Sequence, residues 1–466
     1  MALRTEVGTF SSELQQASTE IQEVTNKIAS GIKNTDLQNI FRACFPDALQ
    51  DIQKFQVIDG KPFVHIKTGD IDAEWLRDAS VQMLPYVRFA RENLGIRQLI
   101  LGVINQQVRY IIRDSYANAF SLDAYARSQS RFDQTDRKLP GVFERKWEPD
   151  SLAHVIHLSY LYWKATGGDT SFADASWQEA MQLIVKTFHD QQRMDSEGEY
   201  FFNRLPAKLF HQENEIVPNH GRGVPTKKIG LIHATHRASD DAAKFPFNIP
   251  ENLFAAQTLR ELATITQNTF AVWEDGKKFA EDCDAFADTI GQAVENYGVF
   301  DHPKFGKVYA YEITGFEKDD DYPDKNKPLF MDDANIPGFL SLRFLGVKNN
   351  EVLENTIRFA LTPGELGNPY FFANGIFAGV GSPHTAGSNV WPMGIALRGL
   401  SSDDVGEKKR CLEMLTYITT GDHRFNESVS TDGLRVTRSD FGMANSMTAE
   451  LLLQLDESYP EILQAA

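Results

Sequence analysis

About a dozen segments of this chain place apolar residues at helical spacing, and they follow one another in hairpin-like succession. In the first of them Leu14, Ile21 and Val24 share a helical face, and residues 9–55 are predicted to form a hairpin of two helices. Strand signals are few and confined to connecting loops. This pattern predicts an all-α fold, an (α/α)6 toroid whose inner helices form the core and whose loops line a pocket at one end.

No short sequence repeat and no low-complexity linker divides the chain. We therefore expect a single domain over residues 1–466, with the N-terminal hairpin included. That length exceeds the usual domain size, but helical toroids often exceed it as one unit. The sequence makes no prediction about oligomeric state.

The charge balance narrows the range of partners. The 47 lysines and arginines are outnumbered by 64 aspartates and glutamates, so the formal net charge is −17. This charge argues against nucleic acid and against anionic membrane surfaces as partners. No long apolar run predicts a membrane span, and residues 1–20 lack the basic and apolar regions of a signal peptide. Because the three cysteines are also widely spaced, we expect a cytoplasmic protein with reduced thiols.

Two loop-to-helix junctions combine charges with a tryptophan. Five charged residues crowd positions 70–78 around Trp75, and residues 143–152 repeat the arrangement around Trp147. Carboxylates and guanidinium groups bind paired hydroxyls, while an indole offers a flat apolar face, so these junctions suit a sugar. The alternative is a solvated run of charges with one tryptophan in the core.

A third junction, residues 237–254, sets Asp240 and Asp241 behind Arg237. Ser239 or Asp240 is predicted to cap the helix that follows, because such side chains accept hydrogen bonds from free backbone N–H groups. Carboxylates ahead of a buried helix are also well placed for acid–base chemistry. A capping cluster with a surface ion pair is the simpler interpretation of this stretch alone.

Other chemistries find little support in the sequence. There is no nucleophile elbow, no Walker loop and no H-E-x-x-H motif, and the glycine-rich residues 379–384 follow no clear strand. The histidines at 211, 220, 233 and 236 match no common zinc spacing. We predict no cofactor and no metal. What remains is carboxylates with tryptophans, and glycoside hydrolysis needs two carboxyl groups, one protonated and one ionised.

Six stretches in order resemble glycoside hydrolase family 125, the metal-independent exo-acting α-1,6-mannosidases. They are TGDIDAEWLRDASVQMLPY at 68–86, FERKWEPDSL at 143–152, RASDDAAKFPFNIPENLFA at 237–255, MDDANIP at 331–337, GVGSPHTAGSNVWPM at 379–393 and TRSDFGMANSMTAELL at 437–452. The resemblance spans about residues 60–455. It implies an (α/α)6 fold, an inverting reaction, no metal requirement and a mannose-containing oligosaccharide as substrate.

The resemblance also implies roles for individual residues. The general acid is Asp240 or Asp241, with Asp240 preferred by analogy with other (α/α)6 glycosidases, and the general base is Glu427. Arg77 and Asp78 resemble contacts of the sugar that is cleaved off. The full set of predicted substrate-binding residues is Trp75, Arg77, Asp78, Glu144, Arg145, Lys146, Arg237, Asp241, Asp333, Asn335, His384 and Trp391.

Four positions depart from the family pattern. Glu74 replaces a usual methionine, Asn426 replaces the usual histidine before the base, and Asp440 and Gly442 replace aromatic residues. The last two bear on the leaving-group preference, whereas both proposed catalytic carboxylates are present.

The sequence thus predicts an exo-acting α-mannosidase that hydrolyses terminal α-1,6-linked mannose by an inverting acid–base mechanism. We expect the acid to have a raised pKa from burial or from its carboxylate neighbour, with Arg237 opposing that shift. Two alternatives stay open. One is an (α/α)6 glycosidase or phosphorylase that acts on glucosides, and the other is a non-catalytic sugar-binding protein of the same fold.

Overall fold

The structure is a computed structural model that describes residues 12–127, 133–204, 213–268, 273, 275–316 and 327–464. It is mostly helical. The helices are α1 (Ser12–Gly31), α2 (Thr35–Cys44), α3 (Leu76–Val87), α4 (Leu94–Arg113), α5 (Pro149–Ala165), α6 (Ala175–Asp190), the single turn α7 (Pro218–Gly221), α8 (Ile249–Gln267), α9 (Gly276–Tyr297), α10 (Glu351–Ala360), α11 (Pro392–Ser401), α12 (Val405–Ile418), α13 (Gly442–Ser458) and α14 (Pro460–Gln464).

The strands are short and form small antiparallel sheets between the helices. They are β1 (Ile52–Ile58), β2 (Lys61–Ile66), β3 (Glu74–Trp75), β4 (Ala119–Phe120), β5 (Asp133–Thr135), β6 (Val142–Glu144), β7 (Phe202–Arg204), β8 (Phe247–Asn248), β9 (Val299–His302), β10 (Gly306–Tyr309), β11 (Glu312–Ile313), β12 (Phe371–Ala373), β13 (Ala378–Val380), β14 (Asn389–Val390), β15 (Ser428–Ser430) and β16 (Val436–Thr437).

The N-terminal hairpin is shorter than the sequence predicts. Its helices end at Cys44, and the predicted boundary at residue 55 is wrong because β1 already begins at Ile52 and pairs with β2. The 3-10 turn Asp47–Gln50 separates the two kinds of structure. Residues 9–11 of the predicted hairpin lie outside the described residues.

A group of mostly buried helices forms the centre of the fold. Every residue of α3 is buried, and α5, α8, α11 and α13 are buried over most of their length, which is typical of helices surrounded by protein. They contact one another in succession: α3 packs on α5, α5 on α8, α11 on α13 and α13 on α3. Between α8 and α11 lies the segment 332–346, where Ala334 abuts Gly394 and Gly346 abuts Gln257.

A second set of helices covers this centre. Helix α4 packs against α1 and α6, α9 against α8, α12 against α11, and α2 against α13. In α1 the buried positions Leu14, Ala17, Ile21, Thr25 and Ala29 recur every three or four residues, so one face meets the protein and the other meets solvent. The hairpin from the start of the chain therefore completes the outer set.

The cap of α8 differs from the prediction. Neither Ser239 nor Asp240 caps this helix, because it begins only at Ile249 and the Asn248 side chain accepts a 3.0 Å hydrogen bond from Glu251 N–H. The predicted cap residues lie in a separate turn, described below. Among the described residues no helix is long and apolar enough to cross a membrane.

Candidate active site

The loops that precede α3, α11 and α13 meet at one cavity of about 580 Å³, its open mouth included. Eight of the predicted site residues line it, and they come from positions that are far apart in the sequence. These residues are Trp75, Arg77, Asp78, Asp240, Asn335, His384, Trp391 and Glu427.

A tight turn presents Asp240 to the cavity. The isolated bridge between His236 and Ala242 brackets the turn, and Asp240 N–H donates to the carbonyl of Arg237 at 2.9 Å. Asp240 has φ of 68°, a left-handed conformation that aspartate tolerates better than most residues. Its side chain lines the cavity, whereas that of Asp241 does not.

Asp241 is buried and fixed by polar partners. Its Oδ1 pairs with His384 Nδ1 at 2.9 Å and accepts a hydrogen bond from the Asn214 amide. Burial lowers the pKa of His384, but the hydrogen bond and charge of Asp241, with Asp240 and Glu427 adding to them, raise it to about 9. The imidazole is therefore positively charged at neutral pH and faces the cavity.

The surroundings of Asp240 differ from the expectation of a raised pKa. Burial acts in that direction, but the positive charges of Lys146, Arg77 and His384 outweigh it and hold the pKa of Asp240 below its usual range. Lys146 Nζ lies 3.7 Å from Asp240 Oδ1. Arg237, the residue expected to oppose the shift, pairs instead with Glu312, with 2.5 Å between Nε and Oε1.

Lys146 belongs to a buried charge network behind the turn. Its Nζ also lies 2.9 Å from Glu215 Oε2 and 3.5 Å from Glu144 Oε1. Arg204 contacts the same two carboxylates at 2.6 Å each. Burial raises the pKa of Glu144, but Lys146 and Arg204 outweigh it and lower that pKa. Glu144 and Lys146 thus lie behind the turn that carries Asp240 and do not line the cavity.

Arg77, on α3, is a second cation that pairs with several buried carboxylates near the turn. Its Nη1 donates to Asp150 Oδ2 at 2.9 Å and to Glu148 Oε2 at 3.1 Å, and its Nε lies 3.6 Å from Asp78 Oδ2. Burial raises the pKa of Asp78 to about 6, in spite of the lowering effect of Arg77. Arg77 and Asp78 occupy the first turn of α3, which is fully buried, so both side chains are held rigidly.

Glu427 comes from the small sheet β14–β15–β16. It directly precedes β15, and its N–H donates to the carbonyl of Arg438 at 3.1 Å. Its carboxylate lies 3.4 Å from Arg438 Nε, and Arg438 Nη1 in turn donates to Asp70 at 3.0 Å. Glu427 is only 5% exposed, but it lines the cavity.

Three further predicted residues do not line the cavity. Asp333 is buried behind it and accepts a 2.9 Å hydrogen bond from Asn335, which does line it. Arg237 is occupied by Glu312. Arg145 faces away altogether: its guanidinium lies 5.2 Å from the ring centres of both Tyr116 and Tyr200 and is bonded to Asp114 at 2.6 Å.

Several residues that line the cavity were missed by the sequence analysis. Arg438 lies in the motif at 437–452, and its charge was the only sequence feature that could have indicated a place in the cavity. Others carry no distinctive chemistry in the sequence, because their place depends on the fold. The missed lining residues are Thr68, Gly69, Ile71, Gln82, Ala238, Ser239, Arg438, Phe441 and Met443.

The four departures from the family pattern fall in different places. Asp440 and Gly442 line the cavity, and a side chain at Gly442 would collide with the Gln82 amide. Glu74 is fully buried away from the cavity, where its carboxylate accepts a 2.9 Å hydrogen bond from Ile66 N–H. Asn426 is buried beside the proposed base. Only the first two therefore alter the cavity surface directly.

Five buried polar atoms on cavity-lining residues have no hydrogen-bond partner among the described parts of the chain. They are Trp75 Nε1, Arg77 Nε, Gln82 Oε1, Ser239 Oγ and Asp240 Oδ1. Buried polar groups are normally satisfied, so a cluster of unsatisfied donors and acceptors at one cavity suits a ligand rich in hydroxyl groups.

The described residues contain no cluster of three or more histidine, cysteine, aspartate or glutamate side chains that could hold a metal ion. His233 and His236 are buried, and burial lowers the pKa of both well below the usual range. His220 lies in the single turn α7, and His211 is outside the described residues.

Comparison with known proteins gives one consistent result. The family profile described as metal-independent α-mannosidase (GH125) matches residues 34–453. The meiotically up-regulated gene 157 protein of Schizosaccharomyces pombe is 33% identical over 462 residues, which cover 96% of this chain and 87% of the relative. A structure from Streptococcus pneumoniae superimposes with a TM-score of 0.83 at 29% identity, covering 98% of this chain and 100% of that one. Its description is a metal-independent α-mannosidase in a non-productive complex with α-1,6-mannobiose.

Proposed function

The chain belongs to glycoside hydrolase family 125, the metal-independent α-mannosidases, and on that premise we propose that it releases terminal α-1,6-linked mannose by an inverting reaction. The α-1,6-mannobiose bound to the Streptococcus pneumoniae relative supports the linkage. The exo mode rests on the family relationship. The succession of inner and outer helices supports the (α/α)6 toroid as its scaffold, formed by one domain. We also propose that the protein acts in the cytoplasm.

One observation carries the proposal: Asp240 and Glu427, 187 positions apart in sequence, line the same cavity with Trp75, Arg77 and Asp78. Asp240 gives a proton to the glycosidic oxygen as the bond from that oxygen to C1 breaks. Glu427 takes a proton from the water that attacks C1 from the opposite face. Inverting enzymes place such carboxyl groups about 6.5–9.5 Å apart, which leaves room for the water.

The remaining residues bind and orient the sugar. The Asp78 carboxylate and the Arg77 guanidinium accept from and donate to its hydroxyls, and their rigid helix turn limits movement of the bound ring. Trp75, with an indole N–H that no described residue accepts, supplies both an apolar face and a donor. The His384 imidazolium places a positive charge near both proposed catalytic carboxylates, and this charge favours the ionised form of a base.

The deciding experiment measures sugar release from α-1,2-, α-1,3- and α-1,6-linked mannobiose, with proton NMR of the first-formed anomer. We expect hydrolysis of the α-1,6 linkage and β-mannose as first product. First-formed α-mannose would contradict inversion and make Glu427 a nucleophile. Phosphate-dependent cleavage of a glucoside would favour a phosphorylase instead.

The matched control is Glu427→Gln, which keeps the shape of the side chain but removes the base. Because water activation is needed for every leaving group in an inverting reaction, turnover of all substrates should be lost. Retained turnover of any mannoside by the folded variant would remove Glu427 from this role.

A further inference from the structure

Asp240, the proposed general acid, needs a source for the proton that it donates. Lys146, Arg77 and His384 hold the pKa of Asp240 below its usual range, so its carboxyl group is ionised in the free protein at neutral pH. A general acid must be protonated when the glycosidic oxygen leaves. The inference that follows rests on the proposed role of Asp240, and it concerns the group that supplies this proton.

Glu148 lies where such a supply is needed. It is 1% exposed, directly precedes α5, and its carboxyl group is in hydrogen-bond contact with that of Asp240. Three fixed donors hold it in place: Asn118 Nδ2 at 3.2 Å from Oε1, and Arg77 Nη1 and Ser151 Oγ, each at 3.1 Å from Oε2.

Two carboxyl groups can hydrogen-bond to each other only through a proton, because an ionised carboxylate only accepts. Asp240 Oδ1 is buried and receives no hydrogen bond from the described residues, and Lys146 stays 3.7 Å away. This carboxylate therefore has an acceptor position open to the O–H of a protonated neighbour. Burial raises the pKa of Glu148 well above its usual range, in spite of Arg77. The pair therefore holds one proton, and it resides on Glu148.

The charges around Glu148 agree with this placement. Arg77 on α3 pairs with Asp150 and Asp78 as well as with Glu148, so its single positive charge is divided among three carboxyl groups. Asp240 from the turn and Asp150 on α5 are negative and disfavour a second negative charge beside them. Lys146 is the other cation nearby, and Glu215 and Glu144 already pair with it.

We propose that Glu148 is a positioning residue that stores the proton delivered by Asp240. As the C1–oxygen bond breaks, the proton of Glu148 passes to Asp240 and Asp240 delivers it to the leaving oxygen, which leaves both carboxyl groups ionised. The attacking water gives its proton to Glu427, which later releases it to solvent. The carboxyl pair then takes up one proton from solvent, and the net reaction remains addition of one water across the glycosidic bond.

The test uses Glu148→Gln in the full chain. The amide keeps the shape and a hydrogen bond to Asp240 but carries no transferable proton. We measure kcat/KM against pH for α-1,6-mannobiose and for a dinitrophenyl α-mannoside, whose leaving group needs no acid. We expect mannobiose hydrolysis at neutral pH to fall at least about tenfold and its basic limb to move toward lower pH. The aryl mannoside should change less than about threefold. An unmoved basic limb, or equal losses on both substrates, overturns the proposal.

Asp150→Asn is the matched control, because Asp150 also contacts Arg77 and the substitution removes one carboxyl group in the same way. One adverse result is that Asp150→Asn loses activity on mannobiose but not on the aryl mannoside, as we expect for Glu148→Gln. That result would show that the effect arises from the change of charge around Arg77, and it would overturn the proposal. If Glu148→Gln does not fold, Glu148→Asp takes its place. Its shorter side chain weakens the contact with Asp240, so the basic limb should still move toward acid, and an unmoved limb overturns the proposal.

A measurement without turnover separates this inference from the proposed function. In an infrared difference spectrum between wild type and Glu148→Gln at neutral pH, we expect the carbonyl band of one protonated carboxyl group. The band supports the stored proton even if neither mannoside is hydrolysed, an outcome that defeats only the proposed substrate. Absence of the band overturns the inference whatever the activity.

Discussion

The cavity joins two groups of charged side chains held in opposite environments. The inner cluster consists of Arg77, Lys146, Glu148 and Asp150, and none of these side chains is more than 2% exposed. The rim cluster consists of Asp70, Arg438 and Asp440, with side chains 65%, 38% and 47% exposed. Both groups contain ion pairs near 3 Å, for example Arg77–Asp150 at 2.9 Å and Arg438–Asp70 at 3.0 Å.

Ion pairs of nearly equal length therefore differ in what their loss costs the protein. Removing one partner of a buried pair leaves an uncompensated charge in a medium that solvates it poorly, whereas water and salt replace the partner of an exposed pair. The inner cluster sets the protonation state of Asp240 and is costly to disturb. The rim cluster is less costly to vary, which agrees with the position of Asp440 among the departures from the family pattern.

The largest effect should come from Asp240, where the inner cluster reaches the cavity. Asp240→Asn should lower hydrolysis of mannobiose by about 10²–10⁴-fold, since general acid catalysis contributes that much. Activity on a dinitrophenyl mannoside should be partly spared. Asp241→Asn, next to it but fixed by His384, should show a smaller loss that is equal on both substrates. Leaving-group dependence in Asp241→Asn would move the acid by one residue.

Lys146→Met tests the cost of breaking the inner cluster. The substitution leaves the carboxylates of Glu144, Glu215 and Asp240 without a buried cation they share. We expect the free energy of unfolding to fall by about 3–5 kcal/mol, measured by urea denaturation. A change below about 1 kcal/mol would mean that the network compensates internally and that the contrast with the rim is wrong.

The link between His384 and Asp241 should give a pH-dependent stability. Because the folded pKa of His384 is raised to about 9, the stabilisation is complete below the unfolded pKa of about 6.5 and is lost as pH rises through about 9. The difference in free energy of unfolding between wild type and His384→Gln should therefore shrink by on the order of 3 kcal/mol over this window. A difference that is constant with pH would mean that the imidazole stays neutral.

Asp78→Ala probes a buried residue that we propose to contact the substrate without donating a proton. Loss of its hydroxyl contacts should lower kcat/KM by at least about tenfold, or about 1.4 kcal/mol. The expected loss is the same for mannobiose and the aryl mannoside, which separates it from the effect of Asp240→Asn. An unchanged kcat/KM in the folded variant would place Asp78 outside the substrate contacts.

The smallest effect belongs to the rim. Asp70→Asn breaks the exposed pair with Arg438, and we expect a loss of stability below about 1 kcal/mol that disappears at high salt. The same urea experiment as for Lys146→Met makes the two values directly comparable. A salt-independent loss as large as that of Lys146→Met would show that exposure does not separate the two clusters.

The sequence predicted the helical succession because its period is a local property. It predicted eight cavity-lining residues because charged loops precede several helices and because six motifs resemble the family. It left Asp240 and Asp241 open as the acid. The choice depends on the left-handed φ of Asp240 and on the bridge between His236 and Ala242, which sequence spacing does not show.

The wrong prediction at Arg145 has a simpler cause. In an extended segment, alternate side chains point to opposite sides. Glu144, Lys146 and Glu148 face the charge network, so Arg145 and Trp147 face the aromatic residues behind it. This alternation was visible in the sequence, and it would have excluded Arg145 and drawn attention to Glu148. Arg438 and Gln82, in contrast, reach the cavity only through contacts between distant segments.

The order in which the cavity residues occur along the chain has a consequence for biosynthesis. Residues 68–78 are made early, but Glu427, Arg438 and Phe441 leave the ribosome some 350 residues later, and α13 must then pack against α3 and α2. Until that happens α3, buried along its whole length in the finished protein, lacks one of its neighbours. A nascent or truncated chain therefore exposes this apolar helix and its charges. The proposed catalytic centre is completed after most of the polypeptide has been synthesised, and chaperone binding to incomplete chains should concentrate at α3.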